Sequence, residues 1–511
     1  MKLSQLFLLA GCTSLAAVSD PKRHSPISPS DPRFDSHASS QASPRQAPRS
    51  LHSVSKRSNS TKDAMVKLSP DLDFHFEILR AMSLAPFEGS DIGEVLVAAQ
   101  KIKPKDFESY YGAFNRLATR VHEAAKDIDS HKYPVSARNA FFKAATYYRS
   151  ADFFLHGNWT DPRINTLWDS QLAAFDAALK LMPIPGQRVT LRAKDDNFTI
   201  PAIFFSSGRP GPRPTVIMCN GYDGSQEEMY HLVGQSVLQR GMNVISFEGP
   251  GQPTVRRQQN LGFITQWEKV VTPVVDFALT RPEVDPAAIG LLGYSFGGYL
   301  APRAAAFEHR LAAVLAVDGL FSFGDTVMNQ FKPLEGVFKS GNASFFNSAV
   351  EKALADPSAD TQTRWAVQQG MWSFNAKTPF EWLTKTQAYT LVNVTQQIKA
   401  PVFVADADDD QFFMGQAPIL ADKLGKLATY HMFKAADGAG EHCSVGAAVL
   451  ENQVMLDWFQ NIVDKGQQRT GDQTTAAMPT VTTAGGAELG VMYSLLFGVL
   501  LYSIGSSMLL F

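Results

Sequence analysis

Gly293-Tyr294-Ser295-Phe296-Gly297 sits between an apolar run, 288–292, and an alanine-rich stretch, 299–307. Small residues on both sides of a serine let the chain reverse from strand to helix within a few bonds. The hydroxyl is then left standing at the positive end of the helix, which makes Ser295 a candidate nucleophile. Gly-x-Ser-x-Gly recurs by chance, but here the Val284-Asp285-Pro286 turn, the buried-strand run and Gly298 supply strand-turn-helix context. The alternative, a serine that only caps the helix, holds if histidine and carboxylate partners are missing.

Partners follow in the order serine, acid, histidine. The strand-like Pro401-Val402-Phe403-Val404-Ala405 leads into Asp406-Ala407-Asp408-Asp409-Asp410, where an architecture of this kind carries its acid. Asp410, just before Phe412-Phe413, is the expected acid, with Asp409 its competitor. A calcium loop would need a ligand alternation and a glycine that this run lacks. Gly438-Ala439-Gly440-Glu441-His442-Cys443 lies between a strand-like run, 428–433, and an amphipathic helix, 445–462. His442 therefore fits a general base: neutral imidazole accepts the serine proton near neutral pH, and a buried carboxylate fixes its tautomer. His431, alternating within its strand, reads as a surface or packed residue. The oxyanion donors are expected to be the amides of Phe296 and of Tyr222, in the Asn220-Gly221-Tyr222-Asp223-Gly224 loop after strand 214–219. Glu227 and Glu228 suit the start of the next helix, a part in substrate orientation or proton transfer being the alternative.

Around these points strands and helices alternate. Strand-like runs at 189–191 and 200–206 pair as a hairpin, 244–247 ends at Glu248-Gly249-Pro250-Gly251, and 312–317 ends at Asp318. Such alternation predicts an α/β fold with a mostly parallel sheet covered on both faces. Residues 64–185 carry no strand signal and read as a helical domain. Asp91 with Glu94 suggests a capping box, Ser136 a cap for 137–155, and Asp161-Pro162 the start of 163–182. Its aromatic residues, among them Tyr110, Phe142, Tyr147, Phe153 and Phe154, fall at helical spacing and read as core. Residues 186–465 form the second domain, interrupted by a helical insertion at 329–393 that would overhang the nucleophile. Trp365, Trp372, Phe374 and Trp382 make that insertion apolar enough to line a pocket, although packing is the better reading for each.

The chain resembles the α/β-hydrolase family that includes the fungal yellowish-green-type, polyketide-shortening hydrolases and dihydroxypseudooxynicotine hydrolase. The resemblance spans about 72–463 and rests on Asn220-Gly221-Tyr222-Asp223-Gly224 with Glu227-Glu228, Phe247-Glu248-Gly249-Pro250-Gly251-Gln252, Gly293 to Tyr299, Asp409 to Gln416, and Glu441-His442-Cys443. It departs at Pro253-Thr254-Val255 and at both ends. It implies an α/β-hydrolase fold with an N-terminal helical cap. It also implies a Ser295, Asp410, His442 triad and hydrolysis of a carbon-carbon bond beside a ketone in a small apolar or aromatic substrate. Ester hydrolysis needs the same machinery, and a catalytically silent recognition module is the reading from another class. No metal and no cofactor are expected. Glu248 is expected to brace the site rather than react.

At 511 residues and a formal net charge of −2, the chain has no basic excess to suggest nucleic acid. Residues 1–19 read as a secretory signal, Leu9-Ala10-Gly11-Cys12 being a bacterial lipoprotein box by its letters. Residues 20–63 are rich in Ser, Pro, Arg and His and are expected to be disordered, with Lys56-Arg57 a candidate processing site. A Thr- and Ala-rich linker, 466–488, precedes an uncharged apolar tail, 489–511, which has the pattern of a GPI-attachment signal and hence of a membrane lipid anchor. A single membrane span is the alternative. Sequons at Asn59, Asn158, Asn197, Asn342 and Asn393 fit a eukaryotic secretory route. Three cysteines occur, and a disulfide between Cys219 and Cys443 stays open, two small buried residues being its alternative.

Overall fold

Alternation of side chains along the strands organises the molecule. The structure, a computed structural model, describes residues 65–194, 196–356 and 358–476, with side chains as far as 466. The expected signal at 1–19, the segment 20–63, Asn59 and the tail 489–511 lie outside the described residues. Eight strands form one sheet: β1 (Gln187–Arg192), β2 (Thr199–Phe205), β3 (Arg213–Cys219), β4 (Asn243–Phe247), β5 (Val284–Tyr294), β6 (Ala313–Val317), β7 (Val402–Ala407) and β8 (Ala428–Phe433). Their order is β1-β2-β4-β3-β5-β6-β7-β8, antiparallel from β1 to β4 through β2 and parallel elsewhere. This is the expected α/β-hydrolase sheet.

In the central strands successive residues enter opposite cores, as a period of two requires. Ile217, Leu291, Val314 and Val404 pack with Val270, Leu300 and Ala304 of the helices Glu268–Leu279 and Gly297–Ala305. Val216, Leu292, Leu315 and Phe403 face the other way, into a core shared with the N-terminal helices. Each such fully buried aliphatic side chain contributes about 1.5–3 kcal/mol.

Five helices precede the sheet: α1 (Leu72–Ser83), α2 (Ile92–Ala99), α3 (Phe107–Asp127), α4 (Pro134–Asp152) and α5 (Arg163–Lys180). Asp71 caps α1 by accepting from the amides of Asp73 and Phe74, and Asp106 caps α3 through Ser109. The capping box at α2 is only half formed. Asp91 accepts from Gly93, but Glu94 turns to Lys143 and to the Tyr147 hydroxyl, which in turn accepts the Asp91 amide. Ser136 is no cap either, because Pro134 takes the first position of α4, where its missing N–H costs nothing. Tyr110, Phe142 and Tyr147 are core residues as expected, whereas Phe153 and Phe154, just past α4, also line the main cleft.

The helix after the histidine loop, Ala448–Ala476, runs on into the stretch read as linker; no proline interrupts it before Pro479. The described residues fall into two compact units, 65–463 and 464–476, and the first holds the cap, the sheet and the insertion together.

Arg257 pins cap to sheet. Its Nη2 donates to Asp152 Oδ2 at 2.6 Å and its Nε to the Ile164 carbonyl at 3.2 Å, while its guanidinium lies 4.3 Å from the Trp168 ring centroid. Burial opposes a charge on Asp152, yet Arg257 and His156 hold its carboxyl below the usual range. Arg257→Ala leaves that carboxylate without its main partner and is expected to cost about 3 kcal/mol. Urea unfolding reads it, and a loss below about 1 kcal/mol would mean that apolar contact alone holds this seam.

Candidate active site

β5 ends at Tyr294, and Ser295 follows at φ 60°, in the left-handed region. That geometry turns the chain straight into the helix Gly297–Ala305. The turn works only because its neighbours are glycines. A Cβ on Gly297 would meet the Cys219 carbonyl at 3.1 Å, and one on Gly221 would lie 2.5 Å from the Phe296 nitrogen. The end of β3 is thereby brought against the serine.

The three residues picked out along the chain come together. Ser295 Oγ lies 2.8 Å from His442 Nε2, and His442 Nδ1 lies 3.1 Å from Asp410 Oδ2. Asp410 is buried, and its Oδ1 accepts from the amides of Phe412 and Phe413 at 2.7 and 3.1 Å. Asp409 is exposed, and its amide is used by the Gly440 carbonyl. The other acids of that run diverge: Asp406 accepts from the Tyr430 hydroxyl and Asp408 from the Ala435 amide. Cys219 and Cys443 are both free and buried; Cys443 Sγ sits 3.4 Å from His442 Nε2. His431 is half-buried and stacks on Phe403.

The loop carrying Tyr222 is braced from three sides. Gln252 Nε2 donates to the Asn220 carbonyl at 2.5 Å, Asn220 Nδ2 donates to Glu228 Oε2 at 3.1 Å, and Gln369 Nε2 donates to the Tyr222 carbonyl at 3.0 Å. Neither the Tyr222 nor the Phe296 amide has a hydrogen-bond partner among the described residues. Gln369 belongs to the insertion helix Thr361–Ser373 and meets His156 of the cap at 2.6 Å. Glu228 receives Arg80 of α1 bidentately at 2.8 and 2.7 Å, and Arg80 also reaches Asp223. Glu227 pairs with Arg188 instead. Glu248 accepts from the amides of Gln226 and Thr254, and burial together with Glu227 raises its carboxyl to about 7.

Above the serine opens a cleft of about 870 Å³, its mouth included. Phe76, Phe153, Tyr222, Trp365, Trp382 and Phe412 form its aromatic walls, and Asp73, Glu77 and Arg80 line a polar part on α1. Trp372 and Phe374 of the insertion are packing residues outside it. Among the described residues, Asp318, His442 and Cys443 are the one group whose ligand atoms converge within 4.8 Å as a metal site requires. Both imidazole nitrogens there already face Ser295 and Asp410.

The Esterase FrsA-like family matches residues 118–369. The 20-hydroxy-prefusarin hydrolase FUS2 of Gibberella moniliformis is 30% identical over 76% of this chain and 96% of its own. The hydrolase LUC6 of a Fusarium species is 29% identical over 77% and 97%. This chain belongs to the fungal yellowish-green-type family of α/β-hydrolases. The crystal structure of 2,6-dihydroxy-pseudo-oxynicotine hydrolase shares the fold at a TM-score of 0.58, with 22% identity over 75% of this chain and 96% of that one. The protein is thus a hydrolase of a small molecule.

Electrostatics in the hydrolase favour an imidazole that holds a proton well. Burial alone would keep His442 neutral, but Asp410 foremost, with Asp318, carries the balance above the ordinary value. Burial likewise opposes ionisation of Asp410, and His442 with the two loop amides brings its carboxyl below the usual range. Sequence reasoning missed Asp318, read only as the end of a strand, and missed Gln369, Arg80 and Arg149, which pairs with Asp223 and Glu77 at 3.1 Å each; none lies in a motif. An imidazole with a raised pKa loses its neutral, proton-accepting form as pH falls through that raised value. The acid limb of kcat/KM is therefore expected above 6.5, the ordinary imidazole value. A pH series on any turned-over substrate reads it, and a limb below that value contradicts the upward shift.

Proposed function

We propose that this hydrolase cleaves a carbon-carbon bond next to a ketone, in a retro-Claisen reaction on a small aromatic or apolar β-dicarbonyl, using Ser295, His442 and Asp410 as its triad. The 2.8 Å approach of Ser295 Oγ to His442 Nε2 at the floor of an aromatic cleft carries the serine-hydrolase part of this reading, and the ketone part is what the family of fungal hydrolases implies. His442 Nε2 takes the hydroxyl proton as Oγ adds to the ketone carbon, while Asp410 holds the Nδ1–H and stabilises the imidazolium. The oxyanion is received by the unpaired amides of Tyr222 and Phe296, each contributing on the order of 3 kcal/mol. When the adduct collapses, the carbon-carbon electron pair leaves as an enolate and takes its proton from His442. Water, deprotonated by the same imidazole, then releases the acyl group as a carboxylic acid and restores Ser295.

Ester hydrolysis is the second reading, supported by the FrsA-like esterase match. A silent recognition module is a poorer fit, since binding alone does not call for a serine, an imidazole and a carboxylate in line. Ser295→Ala is expected to lower kcat by about 10⁴-fold and to abolish fluorophosphonate labelling; labelling that persists sinks the serine assignment. With purified protein, kcat/KM for an aryl β-diketone is expected to exceed that for simple acyl esters. A preference for esters of about tenfold or more overturns the carbon-carbon assignment.

We further propose that the enzyme passes through a eukaryotic secretory route to a lipid-anchored place at the cell surface. The support is the pattern of both termini in the sequence and the exposure of Asn158, Asn197, Asn342 and Asn393. Endoglycosidase treatment of protein from such a route is expected to lower its apparent mass, and phosphatidylinositol-specific phospholipase to release it from cells. An unchanged mass, or retention after the lipase, contradicts the respective half.

A further inference from the structure

His442 faces two carboxylates where a triad needs one. Asp318, immediately after β6, brings Oδ2 to 3.1 Å from Nδ1, the same distance as Asp410 Oδ2. Both side chains are 1% exposed. They come from neighbouring parallel strands, Asp318 from the end of β6 and Asp410 from the loop after β7. Asp410 makes the aligned hydrogen bond, and Asp318 stands beside it at ion-pair distance.

Asp318 Oδ2 also accepts the Cys443 amide at 2.7 Å, so the carboxyl grips the histidine loop through its backbone as well as its ring. Its Oδ1 is buried without a partner among the described residues. Holding one amide would require one acceptor oxygen, which an uncharged side chain supplies without burying a second carboxyl oxygen. A titratable group here suits the one partner whose charge changes during turnover, the imidazole.

We propose that Asp318 is a positioning residue of the site, a second carboxyl group that shares the Nδ1–H of His442 with Asp410 and keeps the imidazole aimed at Ser295 when Asp410 is neutralised. The inference rests on the triad reading given above. The two acids have separate duties. Asp410 has two loop amides on its other oxygen and stays ionised; burial and the charge of Asp410 favour the neutral form of Asp318, which His442 opposes. The groups that face Asp318 are His442 and Cys443 from the histidine loop, Asp410 and Asp406 from the β7 end, Tyr294 from β5, Tyr430 from β8 and Glu451 from the helix Ala448–Ala476. Glu451 is itself driven toward its neutral form by burial and by Asp318, so charge on this side of the ring is scarce and the imidazolium is its main counter-ion.

The test uses the full chain with p-nitrophenyl acetate turnover and the rate of fluorophosphonate labelling, comparing D410N, D318N, the double variant and S295A, with circular dichroism to check folding. If Asp318 shares the role, D410N loses about 10–100-fold in kcat/KM, and the double variant falls to the roughly 10⁴-fold loss typical when the only acid is removed. D318N keeps an acceptor for the Cys443 amide; the charge of Asp318 is read in the D410N background, where it is the ring's remaining carboxylate, so the acid limb of the D410N kcat/KM profile lies at higher pH than that of the double variant. The proposal is overturned if D410N alone already loses about 10⁴-fold and the double variant is no worse, or if the acid limbs of D410N and the double variant coincide. Should D318N fail to fold, the residual rate of D410N decides alone. Activity retained in S295A would sink the triad reading itself, a result distinguishable from every outcome that bears on Asp318.

Discussion

A serine held at a positive φ is the constraint around which this site is arranged. A left-handed backbone costs a non-glycine residue roughly 1–2 kcal/mol, and it persists only where the surroundings leave no other path. Here β5, buried along its last residues, delivers the chain, and the helix Gly297–Ala305 carries it away. The amide of Ser295 is tied to the Val317 carbonyl at the end of β6. A side chain at Gly221 would lie 2.5 Å from the Phe296 nitrogen and one at Gly293 would run into the Gly297 carbonyl, so either would have to move the turn that aims Oγ, and proton transfer depends on fractions of an ångström.

What stands over the serine is held by charge as much as by apolar burial. Arg80 and Arg149 from the cap share Glu77, Asp223 and Glu228, all buried or nearly so. Asp223 and Glu228 belong to the loop carrying Tyr222 and the helix it opens, so the position of Tyr222 is linked to α1 and α4. Burial works against a charge on Glu228, but Arg149 and Arg80 outweigh it and keep the carboxyl below its usual range. The insertion adds Gln369 to the same loop. Cap and insertion are thereby parts of the reaction centre's support as well as walls of its cleft.

Much of this was legible because the chemistry is written in short local patterns. Ser295 announced itself by glycines, Asp410 by a strand and a following apolar pair, and His442 by a flexible loop before a helix. The strands of the sheet were readable from runs of buried apolar residues, since parallel strands covered on both faces leave few polar positions. Asp318 was not readable: its partner His442 lies more than a hundred residues on, and the parallel order β6-β7-β8 brings the loops that carry them together. Glu94 and Ser136 show the opposite error. Each matched a capping pattern, but Glu94 found Tyr147 and Lys143, and Pro134 began the helix before Ser136 could cap it. Phe153 and Phe154 kept helical spacing with the core stripe, yet one face of each meets the cleft, a distinction that periodicity does not carry.

In the proposed reaction Ser295 attacks the ketone carbon and carries the acyl fragment. Rapid quenching of the enzyme with an aryl β-diketone, followed by mass spectrometry of the peptide containing Ser295, tests it most directly. A transient mass increase equal to the acyl group is expected, appearing before free acid accumulates and absent in a His442→Ala variant. Turnover of the diketone with no adduct on that peptide at any time point would contradict it, and would mean that water, not the serine, adds to the carbonyl.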